Sequence, residues 1–198
     1  MPLIGLTGGM GAGKSTALAA LERLGAAGLS TDAVVHELYR GEQLRAAVVA
    51  RWGPDLAPGG VIDRKAIAER AFANEEDRVW LEGLLWPRVG ERIFAWLSEL
   101  RAGRVRGEAA PRAAVVEAPL LFEAGMEKLC DATIAVVAAE QLRRARAGGR
   151  AHALIDERDA RQLSQEEKAR RATFVVRNDG TEEELERALS EVLEKLEE

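Results

Sequence analysis

GLTGGMGAGKST, residues 5–16, decides how the rest of the chain is read. Gly8 is followed by four residues and then by Gly13-Lys14-Ser15, the spacing of a phosphate-cradling loop. The context agrees with it. PLIGLT before the loop is a short apolar run of strand character, and Lys14 to Leu24 after it reads as a helix closed by Gly25. Glycines let the backbone curl so that its N–H groups point inward, and the helix N-terminus adds partial positive charge. In such a loop Lys14 reaches the β- and γ-phosphates, Ser15 ligates Mg²⁺ and Thr16 bonds the α-phosphate side.

Outward from the loop, four more apolar runs have strand character: GLST (28–31), AAVVEA (113–118), ATIAVVA (132–138) and TFVVRN (173–178). Interleaved with helical stretches, they predict a five-stranded parallel sheet flanked by helices, a P-loop NTPase-type α/β fold. Residues 33–103 are too long for a simple crossover and read as a helical insertion after strand two, with breaks at Gly41, at GPDLAPGG and at Pro87, which suits the first turn of a new helix. All four tryptophans lie there. Residues 101–112 read as a loop, two short helices are expected before Ala172, and Thr181 caps a last acidic helix. The whole forms one kinase-like domain, with 33–103 as insertion and 142–162 as a basic lid.

Composition narrows the setting. The chain has 198 residues, 47% hydrophobic and 31% charged, enough for one domain burying about 70% of its unfolded surface. It holds no apolar run of membrane-spanning length and opens without a charged leader, so no membrane association and a cytoplasmic location are expected. Cys130 is the single cysteine and there are two histidines, which argues against disulfides and cysteine- or histidine-built metal centres. Net charge is −5, yet residues 143–177 hold ten basic and five acidic residues. That local excess suits a small anionic ligand rather than a nucleic acid.

Three fates of the γ-phosphate compete. A GTPase switch needs Asn-Lys-x-Asp and Asp-x-x-Gly strings, and a transport-type ATPase needs a Leu-Ser-Gly-Gly-Gln signature; neither set occurs. A small-molecule kinase needs an acceptor-activating carboxylate and a mobile basic lid. Asp32 follows strand two at the edge where parallel strands face the ligand crevice. It reads either as the base or as the cap of the helix AVVHEL. The lid candidates are Arg143, Arg144, Arg146 and Arg150 around Gly148-Gly149; the catalytic role falls to Arg144, Arg146 or Arg150, with Arg144 named for it. Glu117, ending strand three, is a metal-ligand candidate with Ser15.

Several strings together resemble the dephospho-coenzyme A kinase family: IGLTGGMGAGKST, Asp32 at the end of an Asp-Ala-Asp-like turn, GGVIDRKAIAERAFANEED, LLWPRV, EAPLLFEAG and QLSQEEKARRATFVVRNDG. The resemblance covers nearly the whole chain. It implies transfer of the ATP γ-phosphate to the ribose 3′-hydroxyl of dephospho-coenzyme A, a small-molecule acceptor, by a monomer or small homo-oligomer. Asp32 would be the base, and Gly11, Ala12, Gly13, Lys14, Ser15 and Thr16 would hold ATP. Arg64 and Lys168 would serve the acceptor side, Asn178 the nucleotide edge, and the insertion would bind the acceptor. Three positions depart from the family: Ser30 replaces the first acid of the turn, Trp86 replaces the histidine before Pro87, and the lid lacks the usual spacing of arginine and acid. The alternative is another small-molecule kinase of nucleoside monophosphate or shikimate type.

Overall fold

A computed structural model describes residues 1–103, 110–147 and 162–197. Among them five strands form one sheet: β1 (Leu3–Gly8), β2 (Ala27–Ser30), β3 (Ala114–Glu117), β4 (Ala132–Val137) and β5 (Phe174–Arg177). The order is β2-β3-β1-β4-β5 and every pairing is parallel. The expected P-loop-type sheet is therefore present. β1, β3 and β4 are buried at every residue, because helices cover both faces of a parallel sheet, and their apolar runs reflect it.

The chain divides into two compact units, Met1–Ser30 with Gly103–Glu198, and Thr31–Ala102. In the first, α1 (Lys14–Arg23) follows β1, α6 (Glu140–Ala147) follows β4, and α7 (Gln165–Arg171) precedes β5. The acidic α8 (Glu182–Glu197) packs on α1. Ile4, Leu6, Ala17, Leu21, Ile134 and Leu189 belong to one core cluster of this unit. Thr181 starts α8 through a reciprocal cap. Its Oγ1 accepts from Glu184 N at 3.3 Å, and Glu184 Oε2 accepts from Thr181 N at 3.1 Å.

The second unit is helical: α2 (Thr31–Leu38), α3 (Glu42–Trp52), α4 (Arg64–Ala73) and α5 (Glu75–Arg101). Asp63 caps α4, accepting from Lys65 N and Ala66 N, and Asn74 caps α5, accepting from Glu76 N and Asp77 N. The α4–α5 boundary at Asn74 was not among the expected breaks. Pro87 corrects the reading in the other direction. It lies inside α5, which runs 27 residues without stopping. Proline removes one backbone N–H donor, the one that would reach Gly83 O; the Arg88 guanidinium donates to the next carbonyl, Leu84 O, at 2.6 Å, and Leu81, Leu85, Val89, Ile93, Leu97 and Leu100 are buried along the helix. Burial of that stripe outweighs the local penalty of about 3 kcal/mol.

A polar node sits in the core of this unit. Asp77, 7% exposed, accepts from Trp52 Nε1 at 2.9 Å, Arg51 Nη2 at 3.1 Å and Arg70 Nε at 3.3 Å. The Trp52 hydrogen bond first, then Arg51 and Arg70, hold its carboxyl below the usual range against the opposing effect of burial. Trp52 meets Trp80 edge-on, with ring centroids 4.8 Å apart. Among the described residues no helix is long and apolar enough to cross a membrane.

Candidate functional site

The phosphate loop lies at the carboxyl end of β1, between the ends of β3 and β4. Leu6 pairs with Glu117 on one side and Gly8 with Val136 on the other. Gly13 has φ 93° and ends the loop as the N-cap of α1, with no side chain to satisfy the first helical N–H groups. Those N–H groups are suited to an anion instead. Lys14 bends back along the loop, its Nζ donating to Gly8 O at 3.2 Å and Gly9 O at 3.1 Å. The ammonium therefore sits over the curl that a polyphosphate would occupy.

Two expected metal ligands meet. Ser15 Oγ donates to Glu117 Oε1 at 3.2 Å, and Glu117 is only 5% exposed at the end of β3. A hydroxyl beside a carboxylate is the hard oxygen pair that suits Mg²⁺, which takes one or two protein ligands and completes its shell with waters and substrate phosphates. Among the described residues no group of three or more His, Cys, Asp or Glu side chains could hold a metal, and such a pair does not require one.

Asn178, expected at the nucleotide edge, is bonded to the loop. It is 6% exposed, its Nδ2 donates to Ala12 O at 2.9 Å, and its backbone N donates to Val137 O at 2.8 Å. A Cβ on Gly13 would lie 2.1 Å from that Nδ2, so the glycine is needed for the approach as well as for its φ. Of the arginines on α6, Arg143 is the one against the loop. Its Nε donates to Met10 O at 2.8 Å, and a Cβ on Gly11 would lie 2.4 Å from its carbonyl oxygen. Arg146 donates to Asn178 O at 2.9 Å. Arg144, the expected catalytic arginine, pairs with exposed Glu140 one turn back along α6. Arg150, Gly148, Gly149 and most of the 142–162 segment lie outside the described residues. The β4–α6 connection is clamped from α7 and the β5 end: Gln165 exchanges hydrogen bonds with both backbone groups of Ala138, and Asp179 accepts from Ala139 N.

Lys168 is the residue expected on the acceptor side. It is wholly buried, with Nζ donating to Pro119 O at 2.6 Å and lying 3.3 Å from Glu123 Oε1.

In the second unit, α2 begins at Thr31, directly after Ser30, the last residue of β2, and Asp32 is its second residue. Asp32 thus stands inside the first turn rather than capping it. It is exposed and accepts no hydrogen bond among the described residues. Arg64 is the first residue of α4, set by the Asp63 cap, and its Nη1 lies 2.5 Å from His36 Nδ1. A guanidinium only donates, so His36 is the acceptor at Nδ1. Burial raises the nearby Tyr39 hydroxyl above its ordinary value, and the Arg64 charge partly opposes this. Trp86 is 42% exposed on α5. Beside α2 and α5 lies a groove of about 890 Å³ whose lining includes Val34, Leu38, Pro87, Arg88 and Arg92.

The structure thus gathers Gly11 to Thr16, Glu117 and Asn178 around one loop. It adds Arg143, which the sequence named only within a cluster. It also brings in Glu123 and His36, whose part shows only through the partners they hold.

A family model described as dephospho-CoA kinase matches residues 2–184. The chain is 38% identical over 200 residues to the dephospho-CoA kinase of Geobacter sulfurreducens, covering 98% of both chains. It is 39% identical over 197 residues to that of Deinococcus radiodurans, covering 98% of this chain and 92% of the other. The crystal structure of TT1252 from Thermus thermophilus matches at TM-score 0.80 and 35% identity, covering 98% of this chain and 97% of that one.

Proposed function

The chain belongs to the dephospho-CoA kinase family, and from that premise we propose that it transfers the γ-phosphate of ATP to the ribose 3′-hydroxyl of dephospho-coenzyme A. The observation that carries the reading is the loop itself: Lys14 folded over it, and Ser15 meeting the buried Glu117 at 3.2 Å. That is apparatus for holding a nucleoside triphosphate and its cation.

The backbone N–H groups of Gly13 to Thr16 bind the phosphates of ATP. Lys14 exchanges its carbonyl partners for β- and γ-oxygens and offsets the charge that grows there. Asn178 and Arg143 keep the loop in its curl. Asp32 accepts the proton of the 3′-hydroxyl as that oxygen bonds to the γ-phosphorus. The bond from the γ-phosphorus to the β–γ bridging oxygen breaks, and ADP leaves with the electron pair. Ser15 and Glu117 would hold Mg²⁺, which supplies charge neutralisation at the bridging phosphates when bound. Arg64, held by His36, serves the acceptor's phosphates, and the second unit carries the acceptor. Arg144 takes part in catalysis only by leaving Glu140. We assign the enzyme to the cytoplasm, as a monomer or small homo-oligomer.

The test is ADP release with ATP and Mg²⁺ in the presence of dephospho-coenzyme A, with AMP and shikimate as control acceptors. Turnover with dephospho-coenzyme A alone is expected. Faster release with either control assigns the chain to a different acceptor.

A further inference from the structure

We infer that Lys168 is a positioning residue: its buried ammonium holds the connection after β3 so that Glu117 meets Ser15. The inference rests on the proposed role of that pair.

Lysine is almost never fully buried unless paired, and Lys168 is 0% exposed. Its ammonium has among its partners in the described residues Pro119 O at 2.6 Å, Gln162 Oε1 at 3.2 Å and Glu123 Oε1 at 3.3 Å. The same connection is held from two other directions. Thr7 Oγ1 on β1 donates to Pro119 O at 3.4 Å, and Leu163 N donates to Glu123 Oε1 at 2.8 Å. Glu123 Oε2 is buried and has no hydrogen-bond partner among the described residues. The Lys168 charge is thus what compensates that carboxylate.

Pro119 is two residues beyond Glu117, and between them Ala118 N donates to Leu6 O at 2.9 Å. Two trans peptide units are too short to absorb a shift, so movement of the Pro119 carbonyl is passed to Glu117. A contact between Lys168 and the acceptor would require Nζ to surrender one of these bonds and become uncovered. The geometry favours action through Pro119 and Glu117 instead, as groups behind a metal ligand commonly act.

Lys168→Met alone leaves Glu123 buried without its counter-charge and is expected to lower Tm. Lys168→Met with Glu123→Gln removes both charges, keeps the acceptor for Leu163 N, and is expected to recover most of that loss. ADP binding by calorimetry with and without Mg²⁺ then isolates positioning without any acceptor present. In the folded double variant, ADP affinity without Mg²⁺ should match wild type. The Mg²⁺-dependent gain should fall by about tenfold or more, the scale of lost support behind a metal ligand. A full Mg²⁺ gain in that variant would overturn the inference, whether or not its KM for dephospho-coenzyme A rises. Absence of any Mg²⁺ gain in wild type would overturn the Ser15–Glu117 ligand pair, and this inference with it. Failure of wild type to phosphorylate dephospho-coenzyme A would instead count against the acceptor assignment, leaving the ADP result to stand by itself.

Discussion

Lys14 spends its charge on two carbonyl oxygens of its own loop, and those bonds are easily exchanged for phosphate oxygens. Lys14→Ala should therefore lower kcat by orders of magnitude while leaving folding stability within about 1 kcal/mol of wild type. Single-turnover kinetics alongside thermal melting separates the two effects. Asp32 presents the complementary case, an exposed carboxylate inside a first helical turn. Asp32→Asn should leave ATP affinity and Tm unchanged and cut turnover by about 10²-fold or more. A fall in Tm with turnover per folded molecule intact would return Asp32 to a helix-stabilising role. Cys130 makes a third, chemical prediction. Burial first, then the charges of Asp131 and Glu127, push its thiol up to about 11. Below that value the thiol keeps its proton, so at pH 8 alkylation should run roughly a hundredfold slower than for a free cysteine, and accelerate as pH approaches 11. At this scale the phosphate loop was legible because its spacing fixes its shape. The partners were not. Arg143 and Arg144 are neighbours in sequence, and the direction each takes depends on a loop some 133 positions away from Arg143. Lys168 reads as an acceptor-side residue, and the Pro119 carbonyl, 49 positions away, that it meets is not visible in the sequence.

Elements were more legible than partners. The five strands are short apolar runs that a two-sided sheet must bury, and helix signals separate them, so their parallel arrangement follows from pattern alone. Thr181 marks a helix start by its side chain, whereas the Asp63 cap of α4 shows only in the structure. Pro87 misled because a local rule met a tertiary one: proline stops an isolated helix, but the buried leucine-rich stripe of α5 carries the helix through it. The node at Asp77 was invisible for the same reason, since it joins α3, α4 and the start of α5. It carries a pH prediction. Its folded carboxyl titrates below the ordinary aspartate value of about 4. Its contribution is therefore complete above that value and is lost as pH falls through the lower folded value. Asp77→Asn should reduce Tm at neutral pH, and the gap to wild type should close on acidification below about pH 4. A gap that stays constant with pH would show that the ionised form of Asp77 is not what holds the node.

For the molecule as a whole, the chain divides into two compact units. Thr31–Ala102 opens directly from β2, so the carboxylate proposed as base and the arginine proposed for the acceptor belong to one helical body, while the phosphate loop belongs to the sheet. The charge distribution fits this division. An acidic chain of net charge −5 concentrates its basic residues between 143 and 177, the segment that supplies Arg143 to the loop. In the proposed reaction the γ-phosphate ends on one particular oxygen. Phosphorus NMR of the reaction of ATP, Mg²⁺ and dephospho-coenzyme A reads that atom directly. The proposed reaction yields a single new phosphomonoester signal coupled to the ribose 3′-proton, rising in step with ADP. Release of inorganic phosphate without that signal, or a monoester at another hydroxyl, would contradict it.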